Sequence, residues 1–142
     1  VFRQTMFAEY ELLTNQMAEN GEGITAESLS ALYLKLNRNY YGEDMVSDPE
    51  IAYEWARIPH SYYDFYVYQY ATGFSAAVAI AQAILKEGAP AVERYRKFLC
   101  GGCTKSPVEL LKIAGVDMED PAPVQEALDV FGSIIEQLEE LL

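Results

Sequence analysis

Ile58-Pro59-His60-Ser61-Tyr62-Tyr63-Asp64-Phe65-Tyr66-Val67-Tyr68-Gln69-Tyr70-Ala71-Thr72-Gly73 holds the only histidine of the chain and five of its eleven tyrosines. Pro59 breaks whatever precedes it, and the residues beyond predict a long apolar helix from about Tyr62 to Lys86. Ala76, Ala77, Ala79, Ala81 and Ala83 give that helix small faces. Small residues on most sides let neighbours approach closely, so this is expected to be the central buried helix. On it, Tyr63 and Tyr70 would project from nearly one face, about 10 Å apart along a wall at about 1.5 Å rise per residue. Gly73 inside the helix costs about 1 kcal/mol relative to Ala. Close helix packing or close approach of a ligand would account for it.

Upstream, Phe2, Met6, Tyr10, Leu13 and Met17 recur at spacings of three and four, the period of an amphipathic helix, and Gly21-Glu22-Gly23 ends it. Thr25 starts a second helix as N-cap, with Glu27 favoured near its positive end; a full capping box would want Glu or Gln where Ser28 stands. Leu29, Leu32, Tyr33 and Leu36 are its expected buried stripe. Residues 42–49 read as an acidic loop without the ligand spacing of a calcium site. Ser47-Asp48-Pro49 then opens a short helix to about Arg57 that carries Trp55. Downstream, Gly88-Ala89-Pro90 separates the long helix from one over about 91–99. Ser106-Pro107 caps another that Gly115 closes, and a last amphipathic helix runs from about Ala122 to Leu142. No segment reads as a strand, so the expected fold is all-α: a helical bundle of about six to seven helices, residues 1–142 forming a single unit.

A formal charge of −12, from 22 acidic against 10 basic residues, repels a phosphate backbone and argues against nucleic acid as a partner. No apolar run reaches the roughly 20 residues of a membrane span. The N-terminus has neither an initiator Met nor the zones of a signal peptide, and reads as a cut into a longer chain.

Cys100-x-x-Cys103 follows a predicted helix, whereas a thioredoxin-type pair sits at a helix N-terminus after a strand. A zinc ribbon needs a second Cys or His pair. A pair of thiols on a glycine-rich turn is the plainer reading, against a redox or structural-metal role. For the His60 cluster two readings stand. Its tyrosines are amphipathic core residues with their hydroxyls at the surface, or His60, Tyr63 and Tyr70 donate hydrogen bonds to a bound substrate, where preorganised donors can stabilise a developing oxyanion.

Arg57-Ile58-Pro59-His60-Ser61-Tyr62-Tyr63-Asp64-Phe65-Tyr66-Val67-Tyr68-Gln69-Tyr70-Ala71-Thr72-Gly73-Phe74-Ser75-Ala76-Ala77 resembles the C-terminal signature of oligoendopeptidase F, in the thimet-oligopeptidase-like group of zinc metallopeptidases. Val1-Phe2-Arg3-Gln4-Thr5-Met6-Phe7-Ala8-Glu9-Tyr10-Glu11 resembles the segment that family places shortly after its zinc site. Pro107-Val108-Glu109-Leu110-Leu111-Lys112-Ile113-Ala114-Gly115-Val116-Asp117-Met118 resembles its stretch near the C-terminus. The resemblance covers essentially the whole chain, in order.

That family holds zinc with the two histidines of an H-E-x-x-H helix and a glutamate on a following helix. This chain has no H-E-x-x-H. The resemblance therefore implies the C-terminal portion of a cytoplasmic zinc metalloendopeptidase that hydrolyses internal bonds of short oligopeptides. Zinc would be held in the full-length enzyme by ligands upstream, and this portion alone would bind no metal and be inactive. By the same analogy His60 and Tyr63 contact the substrate backbone and Tyr70 turns its hydroxyl to the reacting centre. Tyr66 is a further candidate on that face, and the region of Gly73 approaches the peptide. Expected partners are the oligopeptide, the upstream part of the same polypeptide and, through apolar surface left open, a second copy of the fragment. Asp64 and the two cysteines depart from the pattern the family leads one to expect. The alternative is a stand-alone helical module whose tyrosine-rich groove binds a peptide or protein without catalysis.

Overall fold

The computed structural model describes residues 1–142, and every regular element in it is helical. In chain order these are α1 (Phe2–Glu19), α2 (Ala26–Tyr41), two 3₁₀ segments (Pro49–Arg57 and Pro59–Tyr62), α3 (Tyr68–Glu87), α4 (Ala89–Cys100), α5 (Pro107–Ala114) and α6 (Ala122–Glu139). The fold is all-α. The chain separates into two compact units, Val1–Ala71 and Thr72–Leu142.

In the first unit the apolar stripes of α1 and α2 make the core. Met6, Phe7 and Tyr10 meet Tyr33 and Leu36, with Val67 closing the cluster. Trp55, Ile51 and Ile58 pack against its edge from the 3₁₀ region. Burying aromatic and aliphatic side chains of this size contributes roughly 1.5–3 kcal/mol each. Polar groups are taken into this core with partners, except the Tyr10 hydroxyl, which is buried without one. The Tyr33 hydroxyl donates to Glu54 Oε2 at 2.6 Å, and Trp55 Nε1 donates to Ser30 Oγ at 3.1 Å. Arg3 and Arg57 both reach Glu54 Oε1. Burial alone would push the Glu54 carboxyl up; the hydrogen bond from Tyr33 and the charge of Arg3 outweigh it and hold the group below its ordinary range.

Thr25 caps α2 in a capping box that Ser28 itself completes: Ser28 N donates to Thr25 Oγ1 at 3.2 Å, and Thr25 N donates to Ser28 Oγ at 3.0 Å. The expectation that Glu or Gln was needed there is corrected, because a serine hydroxyl is both donor and acceptor. The segment predicted as a short helix at 50–57 is 3₁₀. It ends before Ile58, whose extended backbone (φ −88°, ψ 103°) is the conformation that the following proline imposes.

In the second unit Ala76, Ala79 and Ile80 of α3 pack with Ala114 and Val116, flanked by Tyr95, Phe98 and Leu111. α4 and α5 form a tight pair. A Cβ at Gly101, in the turn between them, would lie 2.7 Å from Leu110 Cδ2, so any side chain here has to displace Leu110. Ser106 caps α5 in a capping box with Glu109, and Gly115 ends it in the left-handed conformation, φ +92°.

Two expectations about α3 are corrected. It begins at Tyr68, not Tyr62, because Asp64 and Phe65 both adopt left-handed backbone (φ +50° and +56°) that no α-helix can continue through. Nor is it buried on most sides within this chain. Phe74 and Leu85 are 57% and 79% exposed, and burial is confined to the Ser75, Ala76, Ala79, Ile80 stripe. No helix is long and apolar enough to cross a membrane.

Candidate functional site

His60 stands on the second 3₁₀ segment, started by Pro59 at its first position. Tyr62 pins this segment by donating its hydroxyl to the Ala56 carbonyl at 3.2 Å. The left-handed step at Asp64 and Phe65 then turns the chain back, and Tyr70 lies in the first turn of α3. Along a continuous helix His60 and Tyr70 would be about 15 Å apart. Instead the imidazole is the hub of three phenol rings, with centroids 5.7 Å to Tyr63, 5.5 Å to Tyr66 and 5.6 Å to Tyr70. It stacks on Tyr66 at 23° and meets Tyr63 and Tyr70 edge to face. Tyr66 also contacts Tyr63 and Tyr70 edge to face, at 6.0 and 5.9 Å.

The polar heads are joined as well. Tyr70 Oη lies 3.2 Å from His60 Nε2. With Nε2 unprotonated the phenol donates, and with Nε2 protonated the imidazole does, so the pair can turn either donor outward. Partial desolvation, then repulsion from and hydrogen bonding with Tyr66, raises the Tyr70 phenol above its ordinary value of 10.0, which already leaves a phenol protonated and a donor at neutral pH. Tyr63, Tyr66 and Tyr70 are 57%, 40% and 45% exposed. An edge-to-face aromatic pair contributes about 0.5–1.5 kcal/mol beyond burial, enough to hold a cluster in register at an open surface.

The structure thus brings together His60, Tyr63, Tyr66 and Tyr70, though by a kinked backbone and not by the shared helical face expected of Tyr63 and Tyr70. Gly73 belongs to the second unit. A Cβ there would meet nothing within 4 Å, so contact inside this chain is not what requires glycine. It lines an apolar concavity of about 430 Å³ with Ala76, Ala77, Ile80, Phe98 and Leu111. A larger concavity of the first unit, about 620 Å³, has Arg3, Tyr41, Met45, Tyr53 and Arg57 among its lining residues and none of the His60 cluster.

Glu11 went unnoticed in the sequence. It is only 3% exposed, on α1, and its Oε1 accepts the Phe65 amide at 2.6 Å. The available signal was a carboxylate four residues after Phe7 on the buried side of an amphipathic helix. Left-handed backbone costs about 1–2 kcal/mol per non-glycine residue. Asp is among the residues that tolerate it and Phe is not, so an external restraint at Phe65 is physically required.

No group of three or more His, Cys, Asp or Glu stands close enough to hold a metal ion. With one imidazole, held among phenols, this chain has no second histidine to complete an H-E-x-x-H. Cys100 and Cys103 are exposed and unbridged, at the C-terminal end of α4 and in the turn beyond it, where Gly101 serves packing.

The sequence profile of Peptidase family M3 matches residues 1–130, and the chain belongs to that family. It is 54% identical over 142 residues to oligopeptidase PepF of Bacillus subtilis (strain 168), covering 100% of this chain and 21% of that protein. Over the same 142 residues it is 42% identical to the plasmid-borne oligoendopeptidase F of Lactococcus lactis subsp. cremoris, covering 24% of it. An oligoendopeptidase F homolog of Mycoplasma genitalium is 30% identical over 135 residues, 88% of this chain and 22% of that protein. The chain therefore spans about a fifth to a quarter of the length of the curated relatives it matches. No solved structure matches it significantly.

Proposed function

We propose that this chain is the C-terminal part of a cytoplasmic metalloendopeptidase and supplies the peptide-binding side of its active site. The substrates are short, unstructured oligopeptides cut at internal bonds. One observation carries this reading: the single imidazole stands amid three exposed phenols with Tyr70 Oη 3.2 Å from its Nε2. That is an open, preorganised array of donors, suited to an extended peptide backbone, on a chain whose relatives are named oligopeptidases.

In this reading His60 and Tyr63 hydrogen-bond the peptide backbone, Tyr66 gives the peptide an aromatic face, and Gly73 leaves room for its approach. Tyr70, kept protonated, donates to the oxygen that gains charge as the carbonyl is attacked, where a donor counts most. Zinc, which supplies the activated water in the resembled family, is held by residues outside this chain, and this portion by itself is inactive. The test is hydrolysis of an oligopeptide blocked at both ends by the complete polypeptide. Internal cleavage is expected, with kcat/KM falling at least tenfold in His60→Ala; release of terminal residues only, or an unchanged kcat/KM in the variant, would refute it.

A further inference from the structure

Asp64 and Phe65 are the chain's non-glycine residues with positive φ, and they are adjacent. Consecutive residues in so sparsely populated a conformation persist only where their surroundings over-determine them. Two restraints bracket the step. Before Tyr66, the Phe65 amide donates to Glu11 Oε1 at 2.6 Å, across 54 positions of sequence. After Tyr66, Val67 is 1% exposed and plugs into the cluster of Met6, Phe7, Tyr10, Tyr33 and Leu36. Val67 is an ordinary core residue, but Glu11 is not. It is a buried carboxylate that none of the chain's ion pairs includes. Such a group is costly to bury, and an apolar residue on this face of α1 would serve packing better.

We propose that Glu11 is a positioning residue for the peptide-binding cluster: by holding the Phe65 amide it fixes the left-handed step that turns Tyr66 and Tyr70 back onto His60 and Tyr63. This rests on the reading of that cluster as the substrate surface. Glu11 does not reach the substrate; it acts through the backbone of Phe65. Without it, residues 64–65 are free to relax toward ordinary backbone, which carries Tyr66 and Tyr70 away from His60 and Tyr63 and undoes the array.

The experiment compares Glu11→Leu, Glu11→Gln and the double variant Glu11→Leu/Phe65→Gly in the complete polypeptide. Its readouts are amide hydrogen exchange at Phe65 and kcat and KM on an internally quenched, unstructured oligopeptide. Exchange at Phe65 should accelerate at least tenfold in Glu11→Leu and by less in Glu11→Gln, whose amide oxygen still accepts, though more weakly. KM should rise at least fivefold in Glu11→Leu. Phe65→Gly should recover at least half of that rise, because glycine adopts the left-handed step without a Cβ clash. Loss of mere helix packing would not be rescued in this way. Should Glu11→Leu not fold, Glu11→Gln carries the test, and exchange at Phe65 equal to wild type in it overturns the clamp. Exchange that responds to Glu11 while kcat and KM do not overturns the positioning role. Tyr70→Phe, assayed alongside, separates the two levels: if it keeps wild-type kinetics while Phe65 exchange still follows Glu11, the clamp stands and the substrate reading is what failed.

Discussion

Replacing Tyr33 by Phe removes one oxygen from the most buried aromatic side chain of the first unit. Tyr33 is 0% exposed, and its hydroxyl donates to Glu54 Oε2 at 2.6 Å. A hydrogen bond to a charged group contributes a net of about 1.5–3 kcal/mol. Arg3 and Arg57 still hold Oε1 in the variant, so Glu54 keeps compensating charge while Oε2 loses its donor. The expected loss is therefore near the lower end, about 2 kcal/mol, read as a shift in the urea midpoint at pH 7 with an unchanged slope. The pH dependence adds a second check. The Glu54 carboxyl is held below its ordinary value of 4.5, so its stabilising contribution is complete above that value and is lost as pH falls through the lower, folded-state value. Since the Tyr33 hydrogen bond is one cause of that lowering, the difference between wild type and Tyr33→Phe should shrink as the medium is taken below the ordinary value of 4.5 toward the lowered, folded-state one. A variant within about 0.5 kcal/mol of wild type at pH 7, the range of substitutions at indifferent surface sites, would refute the account of this core. A difference that grew on acidification would refute it too.

Two further substitutions test local features of the fold. Gly101→Ala places a Cβ 2.7 Å from Leu110 Cδ2 and 3.0 Å from the Phe98 carbonyl, and should cost about 1–3 kcal/mol in thermal unfolding; adding Leu110→Ala should give less than the sum of the two single effects. Thr25→Ala breaks the capping box with Ser28 and should cost about 1 kcal/mol, with accelerated amide exchange confined to the first turn of α2.

Local chemistry was legible wherever it decided the structure. Met6 and Tyr10 of α1, Tyr33 and Leu36 of α2, the caps at Thr25 and Ser106, and the stops at Gly115 and Pro59 are short-range signals and lie where the sequence places them, whereas Phe2, expected in the α1 stripe, is 47% exposed and Phe7 is buried beside Met6 instead. The stretch from Tyr62 to Val67 was not legible, because its conformation is set by Glu11, far away in sequence, against a local apolar pattern that favours helix. The members of the cluster could still be named from the sequence because they are concentrated in one short segment, but only the turned-back path brings Tyr66 and Tyr70 onto His60. The alanine-rich face of α3 misled for a related reason: small residues permit close packing but do not compel it, and Phe74 and Leu85 stand open. What the cluster is for came from the resemblance of whole segments, since phenols around an imidazole also describe an ordinary amphipathic surface.

The most direct test is Tyr70→Phe in the complete polypeptide, with kcat and KM measured separately on an internally quenched oligopeptide. The substitution removes only the hydroxyl that lies 3.2 Å from His60 Nε2. Loss of one donor that acts on developing charge should lower kcat by about 10²- to 10³-fold while KM stays within about twofold, the signature of an interaction made only in the transition state. A kcat equal to wild type would contradict the assignment of Tyr70, and with it the claim that this chain carries part of the catalytic site.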